Sequence, residues 1–324
     1  MQSSSRVHSP SREAIYSPEC IEVVEIAKQL CLSVNLHLNQ SITMNVSPII
    51  SAIELHQLLK SENTILLDAT IPPVGSVNAL LSEFIPGSIK FDFDHEICDQ
   101  LSDLPHMLPA PEQFAEKVAA LGVSNSSKII VYDRIGMFAA PRAWWMFRVM
   151  GHKQVQVLDG GLPAWKSAGF DVIQHLCLPN APGNFSPSFQ PQLLVRWDDV
   201  VKALKNDDVR VMDARSSGRF AGREQEPRPG LRCGHMPGAL NIPFQRVLNE
   251  GRMKSVDELM NVFGMHKDRR MIFSCGSGVT ACILALAAEM AGFSDWAVYD
   301  GSWAEWGREG SSFPVISDVA NISC

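Results

Sequence analysis

Although the 324-residue chain holds eight cysteines (Cys20, Cys31, Cys98, Cys177, Cys233, Cys275, Cys282 and Cys324), it has no Cys-x-x-Cys pair. The ligand spacing of a structural zinc site is therefore missing, and the scatter indicates no disulfide framework. Cysteine used in this way fits a reducing, cytoplasmic setting, with no metal or other cofactor expected. Excess positive charge is also lacking: 28 Lys and Arg against 35 Asp and Glu give a formal charge of −7. That removes the basic footprint of a general nucleic-acid binder. No apolar run reaches the roughly 18 uninterrupted residues of a membrane helix, so no membrane partner is expected. What remains is a globular composition, 46% hydrophobic and 19% charged. The length suits two domains of about 100 to 150 residues each.

Residues 1–43 differ from the rest and read as a poorly ordered N-terminal extension. Glu13, Glu19, Glu22 and Glu25 precede its mildly apolar part, which disfavours a signal or transit peptide. Met44, just before the first periodic segment, is a candidate start of translation.

The remainder repeats itself. Val157-Leu158-Asp159-Gly160-Gly161-Leu162-Pro163-Ala164-Trp165 answers Val298-Tyr299-Asp300-Gly301-Ser302-Trp303-Ala304-Glu305-Trp306, and Ile85-Pro86-Gly87-Ser88 answers Met236-Pro237-Gly238-Ala239. Leu67-Asp68-Ala69 matches Met212-Asp213-Ala214, and the run Ile129 to Asp133 matches Arg270 to Cys275. A duplication on this scale predicts two similar domains. In each, short β-branched runs alternate with helical patterns, the signature of α/β layers with a mainly parallel sheet flanked by helices. The expected bounds are 44–177 and 193–324. Between them residues 178–192 carry Pro179, Pro182, Pro187 and Pro191, a density that reads as a semi-extended linker.

The two halves part company at one spot. Cys275-Gly276-Ser277-Gly278-Val279-Thr280 lies between the apolar run Met271-Ile272-Phe273, read as a buried strand, and Ala281 to Ala291, read as a helix. A tight loop ending on a helix N-terminus offers backbone N–H groups and the positive end of the helix dipole to an anion, which favours a thiolate. Cys275 is thus the candidate nucleophile. Its counterpart in the first half is Asp133, which cannot serve as a sulfur nucleophile, so only the second half is equipped for this chemistry and the first walls one side of the site.

Two such halves, with the loop Cys-Gly-Ser-Gly-Val-Thr-Ala, resemble the tandem rhodanese-domain sulfurtransferases of the 3-mercaptopyruvate type. The resemblance spans about Met44 to Pro314. It includes Pro105-His106-Met107-Leu108-Pro109, Ala140-Pro141-Arg142-Ala143-Trp144-Trp145-Met146, Asp213-Ala214-Arg215, Gly218-Arg219-Phe220, Glu226-Pro227-Arg228-Pro229-Gly230 and Gly234-His235-Met236-Pro237-Gly238. It implies transfer of sulfur from 3-mercaptopyruvate to Cys275 as a persulfide, release of pyruvate, and removal of the sulfur by a small thiol, thioredoxin or cyanide. Ser277 matches the loop serine that polarises substrate or relays a proton. Arg219 and Arg228 match the pair that holds the substrate carboxylate and carbonyl, a task suited to permanently charged guanidinium forks. The amides of Gly276, Gly278, Val279 and Thr280 would stabilise the anionic sulfur. Phe84 departs from the family, many of whose members have a histidine there, so a relay through that position is closed.

Other chemistries fit less well. Thiosulfate sulfurtransferases share the fold but place cationic side chains in the loop, where a dianion gains Coulomb energy; Gly276 to Thr280 are all neutral. A cysteine phosphatase needs an arginine six positions after the cysteine, and Ala281 stands there. A serine nucleophile elbow needs a glycine two residues before the serine, where this chain has Cys275. A non-catalytic rhodanese-like binding module would not need Cys275, Arg219 and Arg228 together. Scaffolding roles are expected for Asp213, Arg215 and His235, and packing roles for Trp144, Trp145, Trp303 and Trp306. Cys282 is expected to be an ordinary buried thiol, and Cys233, in a loop, is a candidate for a redox role.

Overall fold

The computed structural model describes residues 47–60, 63–74, 82–264 and 268–318. The expected N-terminal extension and Met44 lie outside the described residues.

The first repeat runs β1 (Ile49–Ile50), α1 (Ala52–Leu58), β2 (Thr64–Asp68), β3 (Ile89–Lys90), α2 (Pro111–Ala120), β4 (Lys128–Tyr132), α3 (Ala140–Val149), β5 (Val155–Leu158) and α4 (Gly161–Ser167). The second runs β6 (Leu194–Val195), α5 (Trp197–Ala203), β7 (Val209–Asp213), α6 (Ser217–Phe220), β8 (Leu240–Asn241), the short ribbon β9 (Leu248–Asn249) and β10 (Arg252–Met253), α7 (Val256–Phe263), β11 (Arg270–Ser274), α8 (Ala281–Met290), β12 (Trp296–Tyr299) and α9 (Ser302–Trp306). Two five-stranded sheets result, ordered β1-β5-β4-β2-β3 and β6-β12-β11-β7-β8, with every pair in both parallel. The α/β architecture with two similar domains is as the duplication predicts.

Strand alternation explains how the sheets are joined. Ile129 and Val131 of β4, with Met271 and Phe273 of β11, point into one hydrophobic core that draws on both repeats. The opposite faces close locally: Ile130 and Tyr132 join a cluster confined to the first repeat, and Ile272 one confined to the second. Parallel sheets need both faces covered, and this arrangement covers the inner faces with shared helices. Chief among these are α3 and α8, which pack on each other. Each is buried nearly all round, α8 with an almost wholly apolar surface and α3 with Arg142 enclosed among its apolar residues. Trp144 of α3 stacks on Trp296 of β12 with ring centroids 5.7 Å apart, a tryptophan contact across the repeats. Trp145, Trp303 and Trp306 are likewise buried.

The proline-rich segment has no helix or strand before a 3₁₀ turn at Pro191–Leu193. It is tied to the first repeat by Gly183 N–H to Ala119 O (2.7 Å) and Gln190 N–H to Val149 O (2.7 Å).

Candidate active site

Ligands of open parallel sheets bind beyond the carboxyl ends of the strands, and Cys275 is the first residue past β11, which lies at the centre of its sheet. The loop that follows is fixed from outside. Trp303 N–H donates to Cys275 O (2.9 Å) and Ala304 N–H to Gly276 O (2.8 Å), so α9 takes up the loop carbonyls. Cys275 N–H donates to Ser302 Oγ (3.1 Å). The N–H groups of Gly276 to Ala281, by contrast, have no protein acceptor among the described residues, and no side chain caps α8. They are the donors that an anion at Cys275 would meet.

Two glycines are required here. A Cβ at Gly276 would lie 3.0 Å from Arg219 Nη2, so the missing side chain lets the guanidinium rest against the loop. Gly278 has φ +75°, and its Cβ would meet Asp300 O at 2.8 Å and Arg142 Nη1 at 2.9 Å.

A cavity of about 220 Å³ opens over this loop. Its walls include Cys275, Gly276, Ser277, Val279, Thr280, Arg219 and Arg228, so it unites all but one of the predicted site residues. Gly278 is the exception: its carbonyl accepts from Arg142 Nη1 (3.4 Å) and from the Cys282 thiol (3.1 Å) instead. The first repeat supplies Ile71, Pro72, Pro73, Val74, His106 and Phe138, an apolar wall with one polar group in it.

The two guanidinium groups differ in their partners. Glu226, 1% exposed at its side chain, binds Arg219 through both Nε (3.2 Å to each carboxylate oxygen) and Nη2. The same carboxylate holds Arg215 Nη1 at 2.7 Å. Arg215 also forks onto Asp213 and lies over the Trp303 ring, 4.1 Å from its centroid. Arg219 is therefore neutralised in place by a buried, alternating chain of charges. For Arg228, no carboxylate of a described residue lies within ion-pair distance, and its contact is Nη2 to His106 Nε2 at 3.0 Å. Half-burial pulls the Arg228 pKa down, with the charge of Cys275 opposing that pull. Arg228 thus brings to the cavity beside the sulfur a guanidinium that no carboxylate of a described residue pairs directly.

His106 was visible in the sequence only as part of a family motif, with no role attached; its place in the cavity depends on how the repeats dock. Phe84 does not line the cavity, and the guanidinium of Arg134 lies 4.8 Å from its ring centroid. The scaffolding residues are buried as expected, with His235 Nδ1 2.8 Å from Phe220 O and its ring stacked on Phe220. Cys282 is fully buried, which pushes its thiol pKa far up. Cys233 is disulfide-bonded, a pairing that the cysteine spacing did not indicate. Among the described residues no cluster of His, Cys, Asp or Glu is arranged to hold a metal ion, and no helix is long and apolar enough to cross a membrane.

The rhodanese-like domain model matches the chain twice, at residues 51–168 and 197–309. The 3-mercaptopyruvate sulfurtransferase of Escherichia coli strain K12 is 42% identical over 238 residues, 72% of this chain and 84% of that protein. A thiosulfate sulfurtransferase of Gallus gallus is 41% identical over 228 residues, covering 68% and 78% respectively. The crystal structure of SseA from Escherichia coli, described as a 3-mercaptopyruvate sulfotransferase, superposes with a TM-score of 0.72 at 35% identity, over 80% of this chain and all of that one. With the domain model matched over more than half of the chain and such relatives covering more than two thirds of its length, the chain belongs to the rhodanese-like family, with the domain present twice.

Proposed function

We propose that the second repeat, residues 193–324, is a sulfurtransferase centre that takes sulfur from 3-mercaptopyruvate, and that the first, residues 44–177, is its non-catalytic wall. The observation that carries this reading is one cysteine sharing a small cavity with two guanidinium groups, of which only Arg219 is neutralised by a protein carboxylate. An α-keto acid brings the single negative charge that Arg228 lacks, and its carbonyl oxygen gives the Arg219 edge a second acceptor. Relatives named for 3-mercaptopyruvate support this donor, among them the Escherichia coli enzyme at 42% identity over 238 residues and a Homo sapiens enzyme at 40% over 240. The loop agrees: Gly276 to Thr280 carry no charge that would favour a dianion.

In the first half-reaction the Cys275 thiolate attacks the sulfur of 3-mercaptopyruvate. A sulfur–sulfur bond forms as the carbon–sulfur bond breaks, and the bonding pair leaves on carbon as the enolate of pyruvate. Arg219, Arg228 and the Ser277 hydroxyl stabilise the enolate oxygen and carboxylate. A proton delivered to the enolate carbon, through Ser277 or water, completes pyruvate. The persulfide on Cys275 rests among the loop amides until a small thiol, thioredoxin or cyanide attacks its outer sulfur and regenerates the thiolate. Comparison of kcat/KM for 3-mercaptopyruvate and thiosulfate tests the assignment. A clear preference for 3-mercaptopyruvate is expected; a preference for thiosulfate overturns the donor and leaves the persulfide chemistry.

A further inference from the structure

We infer that His106, contributed by the non-catalytic repeat, is a positioning residue that sets the Arg228 guanidinium for the donor's carboxylate; this rests on the reading of the reaction above. An arginine can only donate, so the 3.0 Å contact from Arg228 Nη2 makes His106 Nε2 the acceptor and places the ring proton on Nδ1. Nδ1 in turn lies 2.9 Å from Asp94 Oδ1, although the approach is off the N–H axis. Asp94's carboxyl is held below the usual aspartate range, with the His106 contact as the largest cause. A carboxylate, an imidazole and a guanidinium thus stand in line across the boundary between the repeats.

The backbone supports the same assignment. His106 has φ +61°, a left-handed conformation that costs a side-chain-bearing residue about 1 kcal/mol or more. Its surroundings enforce it: Arg142 donates to His106 O, Asp99 N–H donates to Met107 O (2.9 Å), and Leu108 N–H donates to Asp300 Oδ2 (2.8 Å). Asp300 belongs to the catalytic repeat and also pairs with buried Arg142 (2.6 Å). The residues that anchor the cysteine loop therefore also hold the segment that aims the imidazole. The Phe93 ring meets the imidazole edge-on, with centroids 5.8 Å apart.

Steady-state kinetics with 3-mercaptopyruvate on the full chain tests this role through two substitutions at one position. His106→Gly accepts the left-handed backbone and removes the acceptor, so KM should rise about 10-fold or more while kcat changes much less. His106→Gln restores an acceptor at nearly the reach of Nε2, and its KM should return to within about threefold of the parent. In the Arg228→Ala background, His106→Gly should add almost nothing. Thermal unfolding of each variant is measured alongside, so that KM is compared among folded proteins. Unchanged KM in the glycine variant, a glutamine variant as impaired as glycine, or full additivity with Arg228→Ala overturns the role while leaving the reaction intact. Absence of turnover by the parent protein overturns both.

Discussion

Asp133 and Cys275 stand at equivalent places, each one residue past the central strand of its sheet, but the loops around them are occupied differently. In the first repeat the Asp133 carboxylate accepts backbone N–H groups from Ile135 (3.1 Å), Phe138 (2.8 Å), Ala139 (2.9 Å) and Ala140 (3.0 Å). The chain has closed its own cradle with its own anion. In the second repeat the corresponding loop amides have no protein acceptor among the described residues, and the residue at their focus is a thiol. One geometry therefore serves stability in one half and chemistry in the other. The repeats also clasp each other reciprocally. Asp159 Oδ1 accepts from Met253 N–H at 2.8 Å, just as its counterpart Asp300 accepts from Leu108 N–H at 2.8 Å.

Exchanging the two key residues is the severest test of this contrast. Cys275→Ser should lower pyruvate release by about a thousandfold or more. Asp133→Cys made in that background should restore nothing, because the first repeat has Thr70 and Val74 after its Asp-Ala pair where the second has Arg215 and Arg219. Recovery of turnover would show that the cradle alone suffices. Next in size is Arg219→Ala, which removes one guanidinium from the cavity and leaves Glu226 with Arg215 only. A loss of roughly 100-fold in kcat/KM for 3-mercaptopyruvate is expected.

Asp133→Ala should act on stability, leaving four N–H groups without their acceptor at a cost of about 3 kcal/mol in urea denaturation. Activity per folded molecule should stay near that of the parent. A smaller effect is expected at the other difference between the loops, where Gly161 (φ +54°) is answered by Ser302 (φ +50°). Ser302→Gly relieves the left-handed strain but removes the hydroxyl that accepts from Cys275 N–H and donates to Tyr299 O (2.7 Å). These changes oppose each other, so the net shift in stability should be within about 1 kcal/mol.

Asp94's pKa is lowered in the folded protein, so its contribution to stability is present above about pH 4, its unfolded value, and is lost as pH falls through the lowered one. Urea denaturation across that range should show a smaller loss, complete at a higher pH, in His106→Gln, where the contact that lowers the folded-state pKa is weakened.

Much of the architecture was legible because it is written twice. Paired Asp-Ala strand ends, Pro-Gly turns and Asp-Gly helix starts determine where each strand stops, and the strand ends place the loop. Cys275 and Ser277 are legible in the loop itself, whereas Arg219 and Arg228 are reachable only through the family resemblance, because no local pattern ties them to the loop. His106 carries no legible role for a related reason. Its reach depends on a positive φ and on the docking of one repeat against the other, and neither leaves a local pattern. The partners of the arginines were hidden in the same way, since Glu226 was visible as a motif residue but not as the carboxylate shared by Arg215 and Arg219. The pairing of Cys233 could not be read from spacing, as disulfides follow spatial proximity.

Peptide mass spectrometry after brief incubation with 3-mercaptopyruvate, without an acceptor, tests the central claim most directly. One added sulfur atom is expected on the peptide holding Cys275, with none on those holding Cys98, Cys177 or Cys282. Sulfur gained on another cysteine, or on none while pyruvate is still released, would contradict the account.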